Sequence, residues 1–198
     1  MAFTKKNITE LIATAKKAGE IALKYQKENL SVQQKKDKTP VTKADFAVNK
    51  LLSKKLQRIS PQIALISEEN DKNSNLDAAK SGNFFIIDPI DGTKPYIKGK
   101  AEFAISIGYV ENHKANWGII YLPAFKEVYY CFNGQAFMEK SNGDTAKLQM
   151  QKKGKNLIAL ISSRFKEQEI IDQYAKKYSI AQIQNMSSAM KFCHLAAG

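Results

Sequence analysis

The sequence is poor in the residues that most often build a covalent framework or hold a transition metal. Its 198 residues include two cysteines, two histidines and one tryptophan. Cys131 and Cys193 cannot form a disulfide framework or a cysteine-rich zinc site, and they favour a reducing, cytoplasmic location. His113 and His194 stand apart, without the spacing of metal ligands. No apolar run is long enough to cross a bilayer, so we expect no transmembrane segment.

Arginine is also scarce, although the chain is strongly basic. It has 31 basic and 19 acidic residues, a formal charge of +12, and all the basic residues except Arg58 and Arg164 are lysines. Such a charge favours nucleic acid, acidic membranes or phosphorylated metabolites as partners, without choosing among them. We expect no nucleic-acid partner, because the sequence has no arginine-rich stripe or base-reading motif. Peripheral membrane contact and the oligomeric state stay open.

The apolar pattern predicts helices on both sides of a sheet. The apolar share of 43% and the charged share of 25% are typical of a globular domain. Apolar residues at three- and four-residue steps predict helices at 7–28, 43–59 and 166–177, with another beginning at 188. Short β-branched and aromatic runs predict strands at Ile63–Ile66, 84–89, Phe103–Val110, Ala115–Leu122, Glu127–Phe132, Gln135–Glu139 and Leu157–Ile161. The segment 30–40 is interpreted as a polar connection, and the polar stretch 70–82 leads to the strand at 84–89 without a predicted element of its own. The fold class is therefore α+β with a mostly antiparallel sheet.

The few acidic residues cluster where predicted strands end. Glu68 follows one strand, and Asp88 and Asp91 follow another, just before Gly92. Pro89 and Gly92 are common turn residues, so this segment alone is also compatible with a simple turn. However, an apolar strand that runs into Asp88 would bury a carboxylate, which is costly without a cation or hydrogen-bond donors. An all-oxygen site would suit Mg²⁺ better than zinc or copper.

Four separated segments carry a resemblance to a known family. PVTKADFAVNKLL, LISEEN, FFIIDPIDGTKPYIKGKAEFAISIGYV and SSAMKFCHLAAG occur in the order typical of the Mg²⁺-dependent, lithium-sensitive inositol monophosphatase superfamily. DGTKPYI followed by AEF, and the SSxxKFC pattern, are most similar to its 3′(2′),5′-bisphosphate nucleotidase branch. The resemblance implies a layered αβαβα sandwich and hydrolysis of the 3′-phosphate of adenosine 3′,5′-bisphosphate, an activity of sulfur metabolism. The alternatives are an inositol or sugar monophosphatase of the same fold, an inactive fragment, or a basic nucleic-acid-binding protein.

The resemblance also implies roles for individual residues. The metal ligands, for two or more Mg²⁺ ions, would be Glu68, Asp88, the Ile90 carbonyl and Asp91. Thr93 with Asp45 resembles the pair that orients and deprotonates the attacking water, with Glu68 nearby in the catalytic group. The residues implied in phosphate and nucleotide binding are Asp91, Gly92, Thr93, Ser187, Ser188 and Lys191.

The sequence ends before one motif of the family. The last metal-ligand Asp of the family lies in a WD-containing motif, and the single tryptophan here is Trp117. We therefore expect a C-terminally truncated domain over 1–198, with an N-terminal α+β part at 1–150 that holds the metal site. Residues 151–198 would begin the C-terminal α/β part. We also expect weakened binding of the second ion and reduced phosphatase activity.

Overall fold

Helices and strands alternate along the chain in a computed structural model. It describes residues 3–28, 32–34, 40–149, 157–162, 167–187 and 189–198. Ser188 and residues 30–31 and 35–39 of the predicted connection lie outside the described residues. The helices are α1 Lys5–Lys27, α2 Lys43–Ile59, α3 Lys72–Lys80, α4 Thr93–Ile97, α5 Gln168–Tyr178 and α6 Met190–Ala197. The strands are β1 Val32–Gln34, β2 Pro40–Thr42, β3 Ala64–Ser67, β4 Phe84–Asp91, β5 Ala104–Glu111, β6 Lys114–Leu122, β7 Glu127–Phe132, β8 Gln135–Glu139, β9 Thr145–Lys147, β10 Leu157–Ile161 and β11 Ile180–Asn185.

Seven strands form the main sheet, in the order β3-β4-β5-β6-β7-β8-β9. Only the pair β3 and β4 is parallel; the other neighbours in this sheet are antiparallel. The strands β10 and β11 form a separate parallel pair. The predicted α+β class and the mostly antiparallel sheet are confirmed.

The helices α1 and α2 pack together over one face of the main sheet. Apolar residues at helical spacing place one side of α1 in the core, where Leu11, Ala15 and Ala18 are buried. Alternate residues of the central strands meet them, among them Phe85, Ile87, Ile105, Ile107 and Ile119. The predicted helix 43–59 is confirmed to the residue, and 7–28 is observed as 5–27.

The polar stretch 70–82 contains α3, a helix that the sequence does not predict. Only Ala78 of this helix is buried, so its sequence carries no apolar stripe. The Asp71 carboxylate caps the helix by accepting hydrogen bonds from the Asn73 and Ser74 amides at 3.0 and 3.2 Å. The short strands β1, β2, β9 and β11 were likewise not predicted.

The helix α6 packs on the main sheet. Met190 and Cys193 are buried in a cluster with Ala104, Leu122 and Tyr129. The sequence alone predicts that Met190, Cys193 and Ala197 pack against elements that this chain lacks. That prediction is wrong, because Met190 and Cys193 are buried against strands of the main sheet and Ala197 packs against the same cluster. None of the helices in the described ranges has the length and apolarity to span a membrane.

Candidate active site

The acidic side chains of the site are placed by the end of β4. Asp88 pairs with Ser106 of β5 and Asp91 pairs with Ala104, so β4 has one more residue than β5 over this stretch. Such a bulge bends a strand and redirects its side chains. On the other edge of β4, Ser67 is level with Ile87 in the parallel ladder, so Glu68 leaves β3 beside Asp88.

Asp88 is the most perturbed carboxyl group of the site. Its Oδ1 atom is buried and has no hydrogen-bond partner among the described residues. Burial raises the pKa of Asp88 to about 8, and the negative charges of Glu68 and Asp91 add to the increase. The Ile90 amide opposes this by donating a hydrogen bond, and Asp45 contributes a further, smaller repulsion. Three acidic residues, from α2, from the end of β3 and from β4 itself, therefore act on Asp88 at this point.

The donor set fits a hard divalent cation. An unpaired, buried carboxylate oxygen surrounded by other carboxylates is unstable without positive charge. Within the described ranges, however, no three Asp, Glu, His or Cys side chains already form a compact metal cluster. Glu68 is exposed, and the mutual repulsion of these carboxylates favours their separation when no cation is bound. The oxygen-only chemistry fits Mg²⁺.

Asp45 is held by the N-terminus of α2. It is 3% exposed, and its Oδ2 atom accepts hydrogen bonds from the Thr42 amide at 2.8 Å and the Thr42 hydroxyl at 2.7 Å. The Thr42 hydroxyl in turn accepts from the Ala44 amide at 3.2 Å. This capping arrangement fixes the carboxylate orientation.

Gly92 and Thr93 form the turn from β4 into α4. Gly92 has φ 94° and ψ 37°, a left-handed conformation that favours glycine. The Thr93 hydroxyl donates a hydrogen bond to the Ile90 carbonyl at 3.1 Å. The Thr93 hydroxyl therefore keeps its lone pairs for other donors, and the Ile90 carbonyl keeps one lone pair.

A polar cavity of about 900 Å³ opens beside Asp91 and Gly92. Its wall includes four lysines and several polar residues from the C-terminal part of the chain. These residues are Lys94, Lys98, Lys100, Lys191, Glu102, Ser162, Asn185 and Ser187. Asp88 borders a second, largely apolar cavity of about 510 Å³. The polar cavity thus meets the acidic group through Asp91, and not through Asp88.

Two carboxylates join the site to the segment before α6. The Asp91 Oδ2 atom accepts a hydrogen bond from the Ala189 amide, and Glu102 Oε2 accepts one from the Ser187 amide at 3.4 Å. These bonds bring Ser187 and Lys191 to the cavity that Asp91 lines.

The structure brings most of the predicted site residues together. Glu68, Asp88, Asp91 and Asp45 interact electrostatically, and Gly92, Ser187 and Lys191 share the cavity with Asp91. Sequence reasoning missed the contribution of Glu102, which is the Glu of the quoted AEF segment and was given no role. Asn185 and Phe192 were missed as lining residues, and no recognisable pattern marks Asn185.

Comparison with known proteins agrees with this arrangement. The inositol monophosphatase family matches residues 4–198. A 3′(2′),5′-bisphosphate nucleotidase CysQ of Buchnera aphidicola is 33% identical over 196 residues, 98% of this chain and 73% of that protein. The CysQ of Salmonella typhimurium is 29% identical over 164 residues, 83% of this chain and 65% of that protein. The chain thus spans between 65% and 73% of the length of these two relatives.

Solved structures show the same fold. CysQ of Bacteroides thetaiotaomicron superposes with a TM-score of 0.74 at 23% identity, covering 99% of this chain and 78% of that one. An inositol monophosphatase of Thermotoga maritima gives a TM-score of 0.77 at 22% identity, covering 98% and 73%. From the family match and the Buchnera relative together, we conclude that the chain belongs to the inositol monophosphatase family.

Proposed function

We propose that this protein is a Mg²⁺-dependent phosphomonoesterase that converts adenosine 3′,5′-bisphosphate to AMP and phosphate. The observation that carries the proposal is the buried, unpartnered Oδ1 atom of Asp88 among other carboxylates, close to a lysine-lined cavity. A cation at the carboxylates and lysines in the cavity are complementary to a substrate that is itself anionic.

Four oxygen donors would hold the metal. These are the carboxylates of Glu68, Asp88 and Asp91 and the carbonyl of Ile90, which follow β3 or end β4. Bound Mg²⁺ supplies Lewis acidity and makes water more acidic. Asp88 is the centre of this set, because both Glu68 and Asp91 influence its ionisation.

Thr93 and Asp45 would orient the attacking water. The Thr93 hydroxyl already donates its hydrogen bond to the Ile90 carbonyl, so its oxygen is available to accept a hydrogen bond from the water molecule. Asp45 adds a fixed negative charge, since Thr42 holds its carboxylate in place. Negative charge near the water favours departure of its proton.

The phosphate that is hydrolysed would lie at the turn of Gly92 and Thr93. Amide groups at the end of β4 can donate to its oxygens without requiring any side chain to reorganise. The left-handed Gly92 permits this tight turn. Ser187 and Lys191, together with Ser188, which lies outside the described residues, are proposed on the nucleotide side of the cavity.

A nucleotide is favoured over a smaller phosphate ester for two reasons. The cavity volume of about 900 Å³ is at the upper end for small-molecule sites. Two of the relatives above carry the name 3′(2′),5′-bisphosphate nucleotidase, and one of them is 33% identical to this chain.

The experiment is a comparison of phosphate release from adenosine 3′,5′-bisphosphate and from inositol 1-phosphate, with Mg²⁺ and with or without Li⁺. We expect faster release from the nucleotide, with AMP as the second product, and inhibition by Li⁺. Faster release from inositol 1-phosphate would assign the protein to the other substrate class. Release from neither ester would reject the phosphomonoesterase itself.

A further inference from the structure

We propose that Lys98 and Lys100 form the binding site for the phosphate that is not hydrolysed, the 5′-phosphate of the nucleotide. This inference rests on the proposed function and extends it to substrate selection. Both lysines line the same cavity as Asp91 and Gly92, where the other phosphate would be hydrolysed.

The turn that carries the two lysines is held in place by hydrogen bonds from α1 and within the turn itself. Gln26 of α1 donates from Nε2 to the carbonyls of Tyr96 and Lys100, both at 3.0 Å. The Lys98 and Lys100 amides both donate to the Pro95 carbonyl, at 3.1 and 3.0 Å. Between the lysines, Gly99 has φ +70°, which lets the chain turn back within three residues. The backbone is therefore rigidly placed, and only the lysine side chains must be ordered on binding.

Tyr96 anchors the same turn in the core. Its side chain is 0% exposed, and its hydroxyl donates to the Ala22 carbonyl of α1 at 2.7 Å. An edge contact with Phe103, at 4.9 Å between ring centroids, holds the other side of the ring. Tyr96 belongs to the hydrophobic core, so the turn is held in place before any ligand binds, which lowers the entropic cost of binding.

Among the described residues, the two lysines have no carboxylate bound to them. In the part of the chain that the structure describes, no carboxylate forms an ion pair with Lys98 or Lys100, whereas Lys55 and Lys80 pair with Glu10 and Asp77. The cavity wall also carries the carboxylates of Asp91 and Glu102, but its four lysines outnumber them. A net positive charge inside a concave site attracts a dianionic phosphate.

The separation along the chain suits two phosphates on one ribose. Lys98 follows Gly92 by one short helix, and a helix rises by about 1.5 Å per residue, or roughly 9 Å over this stretch. One end of α4 therefore lies at the hydrolysis site and the other end carries the lysines. A substrate with a single phosphate can contact only one of these ends.

The test compares the double variant Lys98→Gln/Lys100→Gln with a matched control, Lys114→Gln/Lys147→Gln. The control removes the same charge from exposed strand positions that do not line the cavity. For adenosine 3′,5′-bisphosphate we expect kcat/KM of the double variant to fall by about 10²-fold, mainly through KM, because charge-assisted hydrogen bonds are lost. Hydrolysis of adenosine 3′-phosphate, which lacks the second phosphate, is expected to change less than about threefold, as is either reaction of the control.

A binding measurement separates this site from catalysis. In EDTA, we expect calorimetry to show that AMP, which carries only the retained phosphate, binds the wild-type chain more tightly than adenosine does. We expect that advantage to disappear in the double variant. If AMP and adenosine bind equally to the wild-type chain, or if the variant loses both hydrolysis reactions equally, the lysine site is wrong. If the lysines are needed for AMP binding but no bisphosphate is hydrolysed, the proposed function fails and the site remains.

Discussion

Asp88 combines two properties that a purely structural carboxylate does not have together. Its Oδ1 atom is buried without a hydrogen-bond partner among the described residues, and its neighbours Glu68 and Asp91 carry the same charge. Each property opposes ionisation of Asp88 in the metal-free protein. The positive charge of a bound divalent cation would offset both effects and favour the ionised carboxylate. The residue therefore makes sense as a ligand and not as part of the folding core.

Replacement of Asp88 by Asn is expected to abolish most activity while leaving the fold intact. We expect kcat/KM to fall by more than about 10²-fold. Loss of a residue that only hydrogen-bonds to a metal ligand typically costs about 10–100-fold in activity, and loss of the ligand itself should cost more. In EDTA above pH 8, where the wild-type side chain is ionised, the variant should be at least as thermally stable, because a buried charge is removed. Phosphate release together with thermal unfolding measures both effects. An inactive variant that is also unfolded would contradict this division of roles.

The Thr93 hydroxyl is predicted to act on turnover more than on binding. Thr93→Ala should lower kcat by about 10²–10⁴-fold, the usual contribution of positioned proton transfer, with little change in KM. Thr93→Ser keeps the oxygen and serves as the matched control, retaining most of kcat. A steady-state comparison that shows an increase in KM alone would instead place Thr93 in substrate binding.

The sequence predicts which residues come together in the candidate active site, but not the hydrogen bonds that hold them in place. The carboxylates at strand ends are predictable because strand ends converge at an edge of a sheet. The hydrogen bonds from the Ser187 amide to Glu102 and from the Ala189 amide to Asp91 join residues that are far apart in sequence. No local pattern encodes such long-range backbone contacts, so the role of Glu102 could not be predicted.

The close approach of α1 to the main sheet depends on one glycine. A Cβ atom at Gly19 would overlap Cε1 of the buried Tyr121 ring and lie 3.0 Å from Pro123. Although alanine is the better helix former by about 1 kcal/mol, we expect Gly19→Ala to lower the free energy of unfolding by about 1–3 kcal/mol through overpacking. Denaturant unfolding measures the difference, with Lys17→Ala on the exposed side of α1 as control. Equal or greater stability of Gly19→Ala would show that the helix does not pack this closely.

Because α6 packs on the main sheet, we predict that the two cysteines differ in their reactivity toward a thiol reagent. Burial raises the pKa of the Cys193 thiol to about 12, and Glu127 and Asp91 add to the increase, whereas Cys131 is exposed. Because the pKa is raised, the thiol stays protonated at pH 8, with a thiolate fraction of about 10⁻⁴. We expect a thiol reagent to label one cysteine in the native protein and two after denaturation. Mass spectrometry identifies the labelled residue, and rapid labelling of Cys193 at pH 8 would mean that α6 does not cover it.

The elements that the sequence predicts well have a clear apolar signal. The helix α2 has apolar residues at helical spacing, and the strands β7, β8 and β10 are short apolar runs; all four match their predicted bounds. The helix α3 has one buried residue and is defined by its cap, and β11 runs IAQIQN with mostly exposed side chains. Such elements are stabilised by helix capping and by strand pairing, and a pattern of apolar residues does not reveal either of them.

The molecule as a whole is positively charged, but charges of both signs lie side by side at the candidate active site. The chain carries a formal charge of +12, yet four of its carboxylates interact at one point of the structure. Four lysines line the cavity next to that point. Negative groups for a cation and positive groups for a phosphate ester are thus adjacent, an arrangement suited to a substrate that is bound by both.

Phosphate release from adenosine 3′,5′-bisphosphate as a function of Mg²⁺ concentration, in the wild-type chain and in Asp88→Asn, tests whether Asp88 holds a catalytic cation. We predict no phosphate release in EDTA. In the wild-type chain, release should rise with Mg²⁺ concentration and form AMP and phosphate in equal amounts. In Asp88→Asn, almost no phosphate should be released at any Mg²⁺ concentration. Release that persists in EDTA, or an Asp88→Asn protein with an unchanged Mg²⁺-dependent rate, would contradict the account.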